Sequence, residues 1–256
     1  MKLLSILFAG AALAASAASA SAEVRFGIMN EAYPPFFTKD ATGKWVGWEI
    51  ELMHAVCAEM KEECSIVDMS WDGLIPGLET KKFDVIWSSM SITDERKKTI
   101  DFTDKYYNTP SKLIGAKDAA AGATAEDVAD KTIGIQVSTI QSEYFKKYFA
   151  DKASEKTYST LDEAFQDLAA GRIDYVFGDA IPLAEFLKSD FGKDCCADMG
   201  DVADDPAILG VGIGGGVRKE DTALRDKLNA AVAAVRASGK YEEISKKYFD
   251  FDPYGK

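Results

Sequence analysis

The chain has 256 residues, with 42 acidic against 30 basic side chains and a formal net charge of −12 at pH 7. Such a balance repels nucleic acid and anionic lipid, so neither is expected as a partner. The acidity favours solubility and, modestly, cationic small molecules.

The first residues read as a secretory signal peptide. Lys2 gives the basic start, residues 3–15 the apolar segment, and Ala20-Ser21-Ala22 the small-residue cleavage pattern. The apolar segment is too short and alanine-rich to anchor in a membrane, and no later stretch approaches 18 uncharged apolar residues. Cleavage after Ala22 leaves 234 residues and, with Lys2 gone, a net charge of −13. That length suits one large domain or two small ones.

Residues 24–29 make a short strand pattern, VRFGIM. The loop NEAYPPF at 30–36 follows, and its two prolines restrict the backbone and fix Tyr33 and Phe36. DATGK at 40–44 is a turn. A helix is expected over 49–62, with Ile50, Leu52, Met53, Val56, Cys57 and Met60 on its apolar face. Residues 65–69 form the next strand, Trp71 opens a loop into a short helix ending near Lys81, and 85–87 is a buried strand. This strand–helix alternation predicts an α/β layer with parallel pairing.

The strand at 85–87 ends in a run of hydroxyls, Ser88, Ser89, Ser91 and Thr93, followed by Arg96. Such a run suits hydrogen bonding to something small and charged, and Arg96 offers a planar fork for a carboxylate. In open α/β sheets ligands sit beyond the carboxyl ends of strands, where Tyr33, Trp71 and the serine run all fall.

The chain then runs extended through Tyr106 and Tyr107 to a strand at 113–116. A short helix is expected at 125–130, a strand at 132–136 and a helix from Ser138 to Phe149. Another strand–helix–strand–helix set occupies 157–190, with Asp179 directly after a buried strand and Pro182 in the first turn of a helix. Residues 191–208 read as irregular and acidic. LGVGIGGGVR at 209–218 fits neither a P-loop nor a dinucleotide fingerprint and reads as a strand crossing between domains. Two helices, 221–237 and 239–249, close the chain.

In an exported chain the four cysteines can pair. A Cys57–Cys64 disulfide would clamp the helix end to the next strand; adjacent Cys195 and Cys196 are free, paired with each other or linking chains. There is no CxxC, and the one histidine, His54, reads as a helix-surface residue, so no metal site is expected.

Taken together, YPPF at 33–36, WDGLIPGL at 71–78, SSMSITDERK at 88–97, AAGRIDYVFGD at 169–179 and YFDFDPYG at 248–255 resemble the periplasmic solute-binding proteins that feed ABC importers of polar amino acids. The resemblance runs from Val24 to Gly255 and is greatest to the lysine/arginine/ornithine and histidine receptor branch of family 3. It implies a type II periplasmic-binding-protein fold: two α/β lobes, two crossing hinge strands and a ligand in the interlobe cleft. Lobe one would be 23–107 plus 211–256, and lobe two 108–210, with the second crossing near 207–212. The Cys57–Cys64 spacing matches a disulfide of this branch. A periplasmic monomer is implied, with an L-amino acid as ligand, an inner-membrane ABC permease as partner and no cofactor.

Residue by residue, the resemblance gives Arg96 the ligand α-carboxylate and Asp179 the α-ammonium. Ser89 and Ser91 would share that wall, Tyr33 and Trp71 would flank the ligand side chain, and Ser88 would reach a distal cation. Three departures stand out. Asn30 occupies the position of a usual acid, and the offset turns Glu31, one step later, away from the cleft. Ser138-Thr139-Ile140 replaces a glycine-led loop, leaving the Thr139 hydroxyl and the Ile140 N–H as donors to the carboxylate. Gln136 replaces a leucine and would line the distal pocket, which makes that end more polar and less anionic.

Binding without chemistry is the function expected, because no histidine base or activated nucleophile accompanies these serines. The alternatives are a dehydratase of prephenate or arogenate type on the same scaffold, with Glu31 as acid, or a receptor that signals to a membrane sensor.

Overall fold

The computed structural model describes residues 23–119 and 121–255; the signal-peptide reading of 1–22 lies outside them. Strand β1 (Val24–Met29) is followed by the proline loop and a small hairpin, β2 (Thr38–Lys39) and β3 (Trp45–Val46). Helix α1 (Trp48–Met60) starts at Gly47, whose φ of 131° and whose approach to the Phe36 carbonyl leave no room for a Cβ. Strand β4 (Cys64–Met69) comes next. A 3₁₀ turn at Trp71–Gly73 then enters α2 (Leu74–Glu79). Strand β5 (Val85–Ile86) precedes the serine run, and β6 (Asp101–Tyr107) closes this part of the chain. The Cys57–Cys64 disulfide ties α1 to the start of β4, as expected.

Tyr107 to Ser111 crosses into a second sheet. Its elements are β7 (Ser111–Ala116), β8 (Thr132–Gln136), α3 (Ile140–Tyr148), β9 (Ser154–Tyr158), α4 (Leu161–Ala169), β10 (Tyr175–Asp179) and α5 (Ala180–Lys188). After these come α6 (Asp190–Cys195), β11 (Cys196–Asp201) and α7 (Pro206–Leu209). The chain then returns as β12 (Ile213–Val217), α8 (Thr222–Ala237) and α9 (Lys240–Ser245).

Two five-stranded sheets result, ordered β4-β1-β5-β12-β6 and β11-β7-β10-β8-β9, each flanked by helices in a bilobed α/β architecture. β1 runs parallel to β4 and β5, and β8 runs parallel to β9 and β10. The expected parallel pairing is therefore half of the arrangement: β12 pairs antiparallel with β5 and β6, and β7 antiparallel with β10 and β11. The return crossing needs glycine at Gly210, where φ is 84° and an added Cβ would meet the Ile92 carbonyl at 2.6 Å. The last helices belong to the first sheet. Trp48 Nε1 on α1 donates to Ser245 Oγ at 3.0 Å, and the Tyr241 hydroxyl to the Tyr106 carbonyl at 2.7 Å.

Two sequence expectations fail. Residues 191–208 are not irregular, because β11 completes the second sheet; a bulge between Asp198 and Gly200 puts Cys196 and Met199 on the buried face and erases the two-residue period. Residues 125–130 form turns rather than a helix. Asp130 adopts φ of 61°, outside the helical region, and donates its N–H to the Lys152 carbonyl rather than back along the segment. Cys195 and Cys196 form a disulfide with each other.

Candidate functional site

The carboxyl ends of β1, β4 and β5 face those of β8 and β10 across a cavity between the lobes. Its lining combines Met29, Tyr33, Trp71, Ser88, Ser89, Ser91 and Arg96 from the first lobe with Gln136, Thr139, Ile140, Gln141, Leu161, Phe177, Gly178 and Asp179 from the second. Ten of the eleven candidate residues thus meet at one place.

On the first wall, Ser88 Oγ accepts the Met29 N–H at 2.9 Å, which fixes the loop against β1. Ser89 adopts φ of 56° and donates both its N–H and its hydroxyl to Glu49. Arg96 Nη1 donates to the Ser91 carbonyl at 3.0 Å, and its guanidinium lies 5.4 Å from the Trp71 ring centroid. Burial pulls Arg96 down to about 10, with Asp179 opposing, so it remains a cation at neutral pH. Tyr33 is held by stacking on Phe36 and Phe37, with centroids 5.8 and 5.9 Å away.

On the second wall, Asp179 accepts from Tyr33 Oη at 2.8 Å and from Gln141 Nε2 at 2.7 Å. Burial pushes its carboxyl up from the ordinary carboxylate range, while these two donors and the Arg96 charge pull it back. A buried anion faces a half-buried cation here, an arrangement complementary to the two ends of a zwitterion.

Hydrogen bonds between described residues span the cleft. Besides Tyr33 to Asp179, Trp71 Nε1 donates to the Ser138 carbonyl at 3.2 Å, Arg96 Nη2 reaches the same carbonyl at 3.4 Å, and Gln136 Nε2 donates to Glu31 Oε1 at 2.9 Å. The last corrects the expected direction of Glu31. Its carboxylate points at the second lobe, whereas Asn30 is exposed, gives its N–H to the Met69 carbonyl and does not line the cavity. The step of one residue reversed which side chain faces inward, because Asn30 still follows the strand register of β1 while Glu31 has left it. Burial pushes Glu31 up to about 7, against the Gln136 donation that lowers it.

The Thr139 expectation is also corrected. As N-cap of α3 its hydroxyl accepts from the Ser142 N–H and donates to the Gln136 carbonyl at 2.8 Å, so its proton is engaged within its own loop. The Ile140 N–H, at the first position of the helix, has no partner four residues back. Sequence reasoning missed Gln141 and Glu49, and named Glu31 but turned it the wrong way. Gln141 directly follows the Ser138–Ile140 loop as the second residue of α3; Glu49 carried no signal, since its partners lie 40 and 57 residues away. Among the described residues no group of three or more His, Cys, Asp or Glu is placed to hold a metal ion.

Residues 24–251 match the model of the bacterial extracellular solute-binding proteins, family 3. The L-arginine-binding protein of Pseudomonas aeruginosa is 42% identical over 239 residues, 93% of this chain and 92% of that protein. The histidine-binding periplasmic protein of Salmonella typhimurium is 40% identical over 254 residues, covering 98% and 97%. Among solved structures, a Salmonella typhimurium periplasmic binding protein described for its high arginine specificity superimposes with a TM-score of 0.81 at 33% identity, over 89% of this chain and 99% of that one.

Proposed function

The chain belongs to the bacterial extracellular solute-binding proteins of family 3, and we propose that the solute it captures is a cationic L-amino acid, arginine above the others, for delivery to an ABC importer. It is a binding protein rather than an enzyme. The observation that carries the ligand class is the pairing of Arg96 and Asp179 on opposite walls of one cavity. Arg96 takes the α-carboxylate and Asp179 the α-ammonium. Ser88, Ser89, Ser91 and the Ile140 N–H complete the shell around both, while Tyr33 and Trp71 flank the side chain.

Arginine is favoured by the far end. Gln136 points its amide N–H groups at Glu31 and at the Ser159 carbonyl, 2.9 and 3.1 Å away, which leaves its amide oxygen as an acceptor. Glu31, held by Gln136 beside that end and raised by burial to about 7, adds negative charge there as the pH rises through that value, with Asp162 and Glu163 nearby. The relatives named for arginine and for histidine point the same way. In this reading the lobes, 23–107 plus 211–256 and 108–210, close about the crossings, and the protein works as a periplasmic monomer whose partner is an inner-membrane permease.

Calorimetric titration with arginine, histidine, ornithine, lysine and glutamine tests the assignment. Arginine should bind most tightly and lysine no better than histidine. A clear preference for glutamine or lysine would overturn it.

A further inference from the structure

Glu49 is fully buried at the start of α1, yet no basic side chain pairs with it among the described residues. Its Oε1 accepts from the Ser89 N–H at 2.9 Å and from the Tyr106 hydroxyl, and its Oε2 accepts from Ser89 Oγ at 2.9 Å. Its own carbonyl receives Trp87 Nε1 at 3.0 Å, and the Trp87 ring stacks on Tyr106 with centroids 4.1 Å apart. A carboxylate buried without a cation is costly, and an apolar residue would serve packing better. Ser89 in turn lines the cavity in a left-handed conformation that is unfavourable for a serine.

We propose that Glu49 is a positioning residue that fixes the hydrogen-bond polarity of Ser89 so that it faces the α-ammonium of the bound amino acid, a proposal that rests on the amino-acid reading above. Burial raises Glu49 to about 7, and above that pH the ionised carboxylate can only accept hydrogen bonds, so Ser89 spends both its N–H and its O–H on it. What Ser89 keeps for the cavity is the lone pairs of its hydroxyl and its carbonyl, all of them acceptors. An ammonium group offers three donors and fits such a surface, with Asp179 opposite. A carboxylate is refused by it and is left to Arg96. Glu49 thereby sorts the two ends of the zwitterion without touching either.

Glu49→Gln tests this with little change of shape. The amide oxygen has to stay on the Ser89 N–H and the Tyr106 hydroxyl, which places Nε2 against Ser89 Oγ. Ser89 then accepts from the amide and turns its own proton outwards, so the surface becomes a donor. Calorimetry at pH 8, where wild-type Glu49 is ionised, with L-arginine and with its desamino analogue, δ-guanidinovalerate, should show arginine weakened at least about tenfold and the analogue changed less than about threefold. On a Ser89→Ala background, Glu49→Gln should add less than about twofold to the loss of arginine affinity. If Glu49→Gln fails to fold, Ser89→Ala alone reads the same contrast between the two ligands. Equal losses for both ligands, or an unchanged arginine affinity, would overturn the proposal while leaving the amino-acid reading intact. A wild-type protein that binds no amino acid would overturn that reading and this one together.

Discussion

The two lobes build their halves of the cavity differently. The first lobe anchors its wall from within: Ser88 is tied to Met29, Ser89 to Glu49, and Arg96 to the Ser91 carbonyl, all inside the same lobe. The second lobe ties Asp179 to Gln141 and Gln136 to the Ser159 carbonyl from within, but divides each of these groups between its own lobe and a partner across the cleft. Asp179 takes the Tyr33 hydroxyl, the Ser138 carbonyl takes Trp71 and Arg96, and Gln136 takes Glu31. A wall held by its own lobe keeps its geometry when the cleft opens; one satisfied from the far side does not. The first lobe is thus suited to hold a ligand by itself and the second to latch over it, which is the population shift that a receptor of this type needs.

The largest effect should fall on the self-held wall. Arg96→Ala removes a charged, half-buried clamp and should weaken arginine binding at least about a hundredfold, or about 2.7 kcal/mol. Arg96→Lys keeps the charge but loses the fork and should cost at least about tenfold. Asp179→Asn keeps the shape but offers one acceptor where Tyr33 and Gln141 use two, and should cost about tenfold. Titration of the three variants decides the order, and a greater loss at Asp179 than at Arg96 would break the comparison.

The disulfides offer a second contrast, in stability. Cys57–Cys64 closes a loop with a sequence separation of seven, whereas Cys195–Cys196 joins neighbours. By the chain-entropy argument the first is worth about 2.5 kcal/mol. The second constrains almost no chain, so replacing both of its cysteines by alanine should cost less than about 1 kcal/mol. Urea unfolding of the two double variants checks this, and equal midpoint shifts would show that the vicinal pair stabilises its lobe by some other means.

The lobes also differ in how far the sequence disclosed them. Helix α1 and the strands of the first sheet follow from apolar spacing, and the serine run stands out because few buried strands end in so many hydroxyls. In the second lobe β11 was hidden by its bulge, and the turns at 125–130 resembled a capped helix because Thr124 and Asp127 do bond to each other. The site was legible where strand ends carried side chains of unusual type, as at Arg96, Trp71 and Asp179. It was not legible at Glu49, whose position in an amphipathic segment looks like any other first-turn acid. Nor was it legible at Glu31, since nothing local says where a strand's two-residue alternation stops.

Glu31 supplies the smallest and most selective test of the cross-cleft latch. Its carboxylate serves two purposes in the present reading, accepting from Gln136 to hold the lobes together and lending negative charge to the far end of the cavity. Glu31→Gln separates them, because the amide oxygen can still accept from Gln136 while the charge is gone. If charge is what matters, arginine should weaken about fivefold at pH 8, near 1 kcal/mol, and less at pH 6, where wild-type Glu31 is protonated, while glutamine should not change. If the latch is what matters, Gln136→Ala should weaken both ligands alike, since closing the second lobe serves every amino acid regardless of its side chain. A variant pair in which Glu31→Gln weakens glutamine as much as arginine would assign this residue to closure alone and leave the discrimination between ligands to Trp71 and the Gln136 amide oxygen.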